Sequence, residues 1–196
     1  MTKRKFPLLL VLGAGLILIS LSMLIAYQID RIQGEQYCQR IASKIDSLLP
    51  EKTVGIPGTY PKSGMPVLEV ESADYAALLE IPAFGLSLPV ADKWDSDDLS
   101  QSPARFFGSA YDNTLIIGGI DSPQQFGFCK EIELGAYVTI TDMTGHQFTY
   151  TVSKVERSDH AETSWLTDDK SALTLFCHDI YAMEYIAVRC NLASGS

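Results

Sequence analysis

Cys177 and His178 stand side by side in the run LTLFCHD, and a thiol beside an imidazole is the raw material of a nucleophile–base pair. Their adjacency works against that use. In an extended strand neighbouring side chains point to opposite faces, so the two groups diverge. Cys177 shares parity with Leu173 and Leu175, which marks its face as core, whereas His178 shares parity with Thr174 and Phe176 on the opposite face. A thiol among leucines has a raised pKa and low reactivity, and only a bulge would turn it outward. The residues thus favour a structural Cys177, with a nucleophilic one as the alternative. His146 falls in a Thr-Gly-His-Gln turn, where it is expected to be solvated, and His160 falls in a polar loop. His178, His160 and Asp179 lack the spacing of a metal motif, and Cys38, Cys129, Cys177 and Cys190 form no CxxC pair, so no metal and no cofactor is expected. Cys129 reads as a small core residue. Ser164 and Ser171 have no Gly-x-Ser-x-Gly context, which leaves a serine hydrolase unsupported.

The elements that must hold these groups are mostly strands. LEVE (68–71) alternates. ALLEIPAFGLSLPV (77–90) reads as a strand, a Pro-Ala-Phe-Gly turn and a second strand. NTLIIGG (113–119) is a β-branched run closed by glycines, 136–156 is a hairpin about Met-Thr-Gly-His, and 171–178 and 184–190 form a last pair. Residues 121–135 and parts of 92–106 read as helical or irregular. Short connections among so many short strands predict a mainly β fold, an antiparallel barrel or sandwich of about eight strands with short helices.

Ahead of the strands come four segments. Residues 1–5 carry Lys3, Arg4 and Lys5. Residues 6–27, FPLLLVLGAGLILISLSMLIAY, hold 22 uncharged residues, enough to span a bilayer core as a helix. The basic flank predicts a single-pass anchor with a cytoplasmic N-terminus and an extracytoplasmic body; a cleavable signal peptide is the competing reading, with Ser20-Leu21-Ser22 as a passable site. Residues 28–49 repeat Ile29, Ile32, Ile41, Ile45 and Leu48 at helical spacing, a juxtamembrane helix that packs on its own domain or dimerises. Residues 50–66 hold four Pro and three Gly, a linker or wrap. The domain proper is 67–193.

The whole chain carries a net charge of −9, and beyond residue 27 there are 24 acids against 12 bases. Such a body repels phosphate backbones, so nucleic-acid binding is excluded from the expectations. An apolar fraction of 46% likewise argues against a disordered chain.

Read in order, three stretches resemble the sortases, the membrane-anchored cysteine transpeptidases of Gram-positive bacteria. LLEIPAFGLSLPV is similar to their opening strand pair. DNTLIIGGIDSPQQFGFCKEIELGAYVTITDMTGHQFTYTV is similar to their centre, where a strand ends at a catalytic His. LTLFCHDIYAMEYIAVRC is similar to their close, with a catalytic Cys at one strand end and a catalytic Arg opening the next. The likeness runs from about 67 to 193. It implies a sortase-like closed β-barrel and a groove for a sorting-signal peptide, whose bond the family's Cys attacks to form a thioacyl intermediate. His serves there as general acid/base, and Arg steadies the oxyanion.

The departures fall on the chemistry. With Phe126 setting the register, the family's His position holds Ile120, followed by Asp121; the Cys position holds His178; the Arg position holds Tyr185. Isoleucine moves no proton, and tyrosine brings no positive charge at neutral pH. Arg189 lies four residues on and reads as a salt-bridged strand residue. The expectation is a catalytically inactive sortase-like protein whose groove is lined by Ile120, Asp121, His178 and Tyr185. It would bind a sorting-signal peptide or an active sortase, as an accessory to surface-protein sorting or pilus assembly. The alternative is an active transpeptidase with a rearranged site, using Cys177 with His178 or Asp121.

Overall fold

The computed structural model describes residues 5–60, 64–95, 99, 101–159, 163–167, 170–179 and 181–193. His160 and the metal combination built on it lie outside them. The chain divides into two compact units, Met1–Gln36 and Tyr37–Ser196. The described residues of the first, from Lys5 on, are helical and belong to α1, Lys5–Leu48, which is not interrupted at Gly34. Within it Leu10–Ile29 is long and apolar enough to cross a membrane, with a mean hydropathy of 2.3.

The second unit opens with the last turns of α1. Here Ile41 and Ile45, four residues apart on one helix face, are fully buried against Val70, Tyr75 and Met143. The polar side of these turns is tied down as well. Arg40 and Lys44 both reach Glu71, at 3.1 and 3.3 Å. Glu71 and Ser72 are the two residues of the hairpin joining β2 (Leu68–Val70) to β3 (Ala73–Ile81), and both have positive φ, 52° and 68°, as the tight turn demands. The helix ends at Leu48, just before Pro50.

Residues 50–60 lie on the domain rather than leave it. Thr53–Val54 forms β1 and pairs in parallel with β8 (His146–Ser158). Gly55 lies against the ring of Phe148, so closely that a Cβ would sit 2.6 Å from it. Tyr60 stacks on Tyr111 with centroids 4.3 Å apart.

Eight strands then close a barrel. They are β3, β4 (Leu86–Ala91), β5 (Ala104–Phe107), β6 (Leu115–Ile120), β7 (Tyr137–Asp142), β8, β9 (Leu173–Asp179) and β10 (Glu184–Leu192). The hydrogen-bonded order runs β8-β10-β9-β6-β5-β4-β3, and β7 closes the ring by pairing with both β3 and β8. Closure leaves these eight strands no open edge, with β1 and β2 as additions. One apolar set of alternate residues fills the interior: Leu79, Ile117, Val138, Phe148, Leu175 and Val188 are all at most 1% exposed. Each such burial contributes roughly 1.5–3 kcal/mol.

Three elements were not anticipated. β1 falls in 50–66, whose composition predicts neither helix nor strand, and β5 begins within 92–106, where no strand pattern is legible. β5 forms because Ala104 and Arg105 find β6 partners in Gly118 and Ile117. The five-residue helix α2, Thr163–Thr167, carries too few residues for periodicity and is fixed by contacts from elsewhere.

Candidate functional site

β6 and β9 run parallel, and β10 returns antiparallel beside β9. The register pairs Ile120 with His178, and His178 with Tyr185. The three positions singled out in the sequence, the first two 58 positions apart, therefore form one cross-strand row at the ends of β6 and β9. All three are half-exposed. The imidazole and the phenol ring face each other with centroids 4.5 Å apart and planes inclined at 30°. The row offers one imidazole, one phenol and a branched alkyl group.

Cys177 points the other way. It is 1% exposed, packs in the barrel core with Leu173 and Leu175, and directs its Sγ at the Phe126 carbonyl at 3.6 Å. Strand alternation puts it there, and β9 carries no bulge to turn it round. Cys129 is its core neighbour: burial pushes the Cys129 thiol well above its ordinary pKa, and a hydrogen bond with Cys177 adds to the shift. Cys38 and Cys190 are also buried, and burial raises their thiols to about 11 and about 12. None of the four is paired in a disulfide.

Asp121, the groove candidate and alternative base, is not a free carboxylate. Its side chain is only 7% exposed and accepts a hydrogen bond from Lys130 Nζ at 2.6 Å. The same ammonium lies 3.1 Å from Asp179, so two carboxylates at the ends of parallel strands share one cation. The Asp121 hydrogen bond leads in raising the pKa of Lys130. Asp179 also accepts the backbone N–H groups of Tyr181 and Ala182, which shape the β9–β10 turn. This triad lies at the strand ends beside the row and leaves Asp121 engaged.

The face that carries the row is covered farther down. One step along, the register sets Gly118, Phe176 and Ala187 in line; a second step sets Ile116, Thr174 and Arg189. Phe176 and Thr174 share parity with His178, yet they are 7% and 2% exposed, so this face is not an open groove along its length. A second apolar cluster roofs it: Ile116, Leu166, Phe176 and Ala187, with Trp94, Phe106 and Trp165 packed against them. Trp94 stacks on Phe176 at 5.4 Å and meets Phe106 edge-on at 5.2 Å. Sequence parity could assign the face; it could not foresee a roof supplied by α2 and by Trp94 and Phe106, which lie more than sixty positions before Thr174.

Arg189 anchors that roof. Its guanidinium is 1% exposed and donates to Glu156 at 3.0 Å, to Thr174 Oγ1 at 3.1 Å, and to the carbonyls of Leu166 and Trp165 at 2.9 and 2.5 Å. It is the salt-bridged strand residue that its position suggested, and it also latches α2 to the sheet.

His146 departs from expectation. It is half-buried, with Nδ1 3.1 Å from Asp142 Oδ2 and 2.8 Å from the Thr144 hydroxyl. Asp142 is fully buried and accepts Tyr111 Oη at 2.6 Å and the backbone N–H groups of Thr144 and His146. Burial pushes its carboxyl up, but the Tyr111, His146 and Thr144 bonds outweigh it and hold the pKa below the usual range. The cluster pins the β7–β8 hairpin, so this turn is a structural knot rather than a solvated loop.

Residues 79–192 match the model of the sortase domain. The chain belongs to the sortase family. Solved sortases share the barrel at low identity. A Clostridium perfringens sortase D5 transpeptidase is 19% identical, with 61% of this chain and 79% of that chain covered and a TM-score of 0.52. Listeria monocytogenes sortase A is 18% identical over 61% of this chain and 88% of that one, with a TM-score of 0.53. A lid mutant of Corynebacterium diphtheriae sortase A is 15% identical over 85% and 95%, with a TM-score of 0.54. No curated protein matches the chain. Among the described residues there is no group of three or more His, Cys, Asp or Glu that could hold a metal ion.

Proposed function

We propose that this sortase-family protein does not carry out thioacyl transfer. It acts as a membrane-anchored, extracytoplasmic accessory to surface-protein sorting or pilus assembly, and it contacts a sorting-signal peptide or an active sortase at the barrel end. The observation that carries the reading is the row Ile120–His178–Tyr185, together with the position of Cys177. In the family's terms the row lacks a nucleophile, a proton shuttle on β6 and a cationic oxyanion donor. The thiol beside it lies on the opposite side of β9, walled in by the core. Asp121, the other group that might serve as a base, is held by Lys130. What supports a binding role is the half-exposed His178–Tyr185 ring pair, with Tyr181 and Met183 exposed in the adjoining turn at 93% and 68%. The anchor reading rests on Leu10–Ile29 and on the basic residues that precede it.

The test uses the full chain in lipid nanodiscs, incubated with a library of sorting-signal peptides and examined by intact-mass and peptide-mapping mass spectrometry. The expected result is peptide retention without a covalent acyl adduct. An adduct on Cys177 would make the protein an active transpeptidase with a displaced nucleophile.

A further inference from the structure

Cys129 and Cys177 meet in the barrel core although 48 positions separate them. The short 3-10 helix Phe126–Lys130 carries the first, and β9 carries the second. Gly119 on β6 permits their approach. It is the register partner of Cys177, and a Cβ there would stand 2.9 Å from the Phe126 ring, so bare backbone lets the 3-10 helix settle against the sheet. Cys177 Sγ then faces the Phe126 carbonyl at 3.6 Å, and the Cys177 and Cys129 thiols are in hydrogen-bond contact. Both residues are 1% exposed. The other two cysteines are placed differently. Cys190 pairs in register with Leu173, four positions along β9 from Cys177. That is about 13 Å at the rise of a strand, whereas a disulfide needs Cα atoms within about 7 Å. Cys38, on α1, donates its thiol to the Gln101 carbonyl at 2.8 Å.

We propose that Cys129 and Cys177 are a disulfide-forming pair, and that the bond between them is a covalent strut at the barrel end that carries Ile120, His178 and Tyr185. This rests on the reading that the body is extracytoplasmic, where disulfides persist. The oxidant is another disulfide, small or protein-borne. One cysteine attacks it as thiolate, which forms a mixed disulfide and releases one thiol; the second cysteine then displaces the other. The two protein sulfurs are oxidised, the incoming disulfide is reduced to two thiols, and the two protons that leave the cysteines balance those the products take up. Burial shuts an external disulfide out of the folded barrel, so the exchange belongs to the open chain during folding or to a local opening of the 3-10 helix. The bond has two effects. It withdraws Cys177 from any acyl transfer. It also ties to β9 the helix whose last residue, Lys130, bridges Asp121 and Asp179 at 2.6 and 3.1 Å, so the oxidation state sets how firmly this end of the barrel is held.

The experiment takes the full chain in lipid nanodiscs, opens it in urea and returns it to buffer at a series of ratios of reduced to oxidised glutathione. Remaining thiols are blocked, and peptides are mapped without reduction. The expected product is a Cys129–Cys177 link, with Cys38 and Cys190 recovered as free thiols. Its melting temperature should lie at least about 5 °C above that of the reduced protein, since the link closes a long loop. Kept reduced, the protein should hold four free thiols, as in the structure. Cys129→Ala and Cys177→Ala should each abolish the difference in melting temperature, and Cys190→Ala should keep it. The link itself is mapped in the wild type, so the result does not depend on how well these variants fold. Four free thiols at every ratio, a link through Cys38 or Cys190, or a link that brings no gain in melting temperature would overturn the proposal. Two further readouts separate it from the reading on which it rests. A body that protease added to intact cells cannot digest, but that is digested after lysis, would overturn the extracytoplasmic placement, while the link formed in nanodiscs would still establish the pair. An acyl adduct on Cys177 of the reduced protein would remove the non-acylating reading and leave the pair intact.

Discussion

Replacing Arg189 by Met should be the most damaging single change on the outer face of the sheet, and the structure says by how much. Four acceptors depend on this guanidinium: one Glu156 oxygen, the Thr174 hydroxyl, and the Leu166 and Trp165 carbonyls. They do not lose equally. Glu156 is 22% exposed and keeps its ion pair with Lys154, so it can rehydrate. The two carbonyls belong to α2, the Leu166 bond buried and the Trp165 bond partly so, and hydrogen bonds from a charged donor contribute about 1.5–3 kcal/mol each. The guanidinium also lies 5.4 Å from the Trp165 ring, a contact that the thioether replaces only in part. Allowing for relaxation of α2 towards solvent, the expected loss is about 3–5 kcal/mol, the range for breaking a buried charged contact from one side. That is a large fraction of the ~5–15 kcal/mol that holds a domain folded. For a unit of this size it corresponds to a fall in melting temperature on the order of 10 °C. Thermal melts followed by the fluorescence of Trp94 and Trp165 would measure it, because Arg189 contacts the roof that holds both. Arg189→Lys restores the charge but not the planar fork, so it should recover the Glu156 contact and less than half of the loss. A fall below about 2 °C in Arg189→Met, or a Lys variant as stable as wild type, would show that the fork does not latch α2 and refute the reasoning.

Two further predictions follow from the same geometry. Asp142, Glu156 and Asp179 all titrate below their ordinary range: Asp142 because its hydrogen bonds outweigh burial, Glu156 chiefly through Lys154 and then Arg189, Asp179 chiefly through the Ala182 N–H. Unfolding returns each to the usual carboxylate value near ~4, so the unfolded chain binds more protons in acid. Stability should be fully expressed above about pH 4 and fall as pH drops through the folded values, and Asp142→Asn should lower stability at pH 7 while flattening this acid limb in urea titrations. The cysteines give the third test. Since all four thiols are buried, and burial raises those of Cys38, Cys129 and Cys190, iodoacetamide at pH 8 should modify none of them in the folded protein and all four in denaturant. Rapid modification of Cys177 alone under native conditions would show a reactive thiol and reopen the alternative of a rearranged active site.

Much of this was legible from the chain alone. Alternation about Leu173, Leu175 and Cys177 decided that the thiol faces the core, because a strand leaves no choice of side once its apolar residues are buried. The strand-like segments left a barrel or a sandwich open, and their resemblance to the sortases pointed to the barrel. Phe126 set the register for Ile120, and the last two strands set it for His178 and Tyr185; the fold places all three in one row. Local pattern failed where the cause was remote. β5 exists because β6 offers it partners, and α2 is held in part by an arginine more than twenty residues later. His146 is drawn from solvent by a buried Asp142, and Asp121 is taken up by Lys130. Above all, the sequence assigned Thr174 and Phe176 to the outer face but not their cover. A residue's face depends on its immediate neighbours in the strand. Whether that face stays open depends on which side chains the rest of the chain lays across it, and here only closure of the barrel brings Trp94 over Gly118 and Trp165 over Arg189.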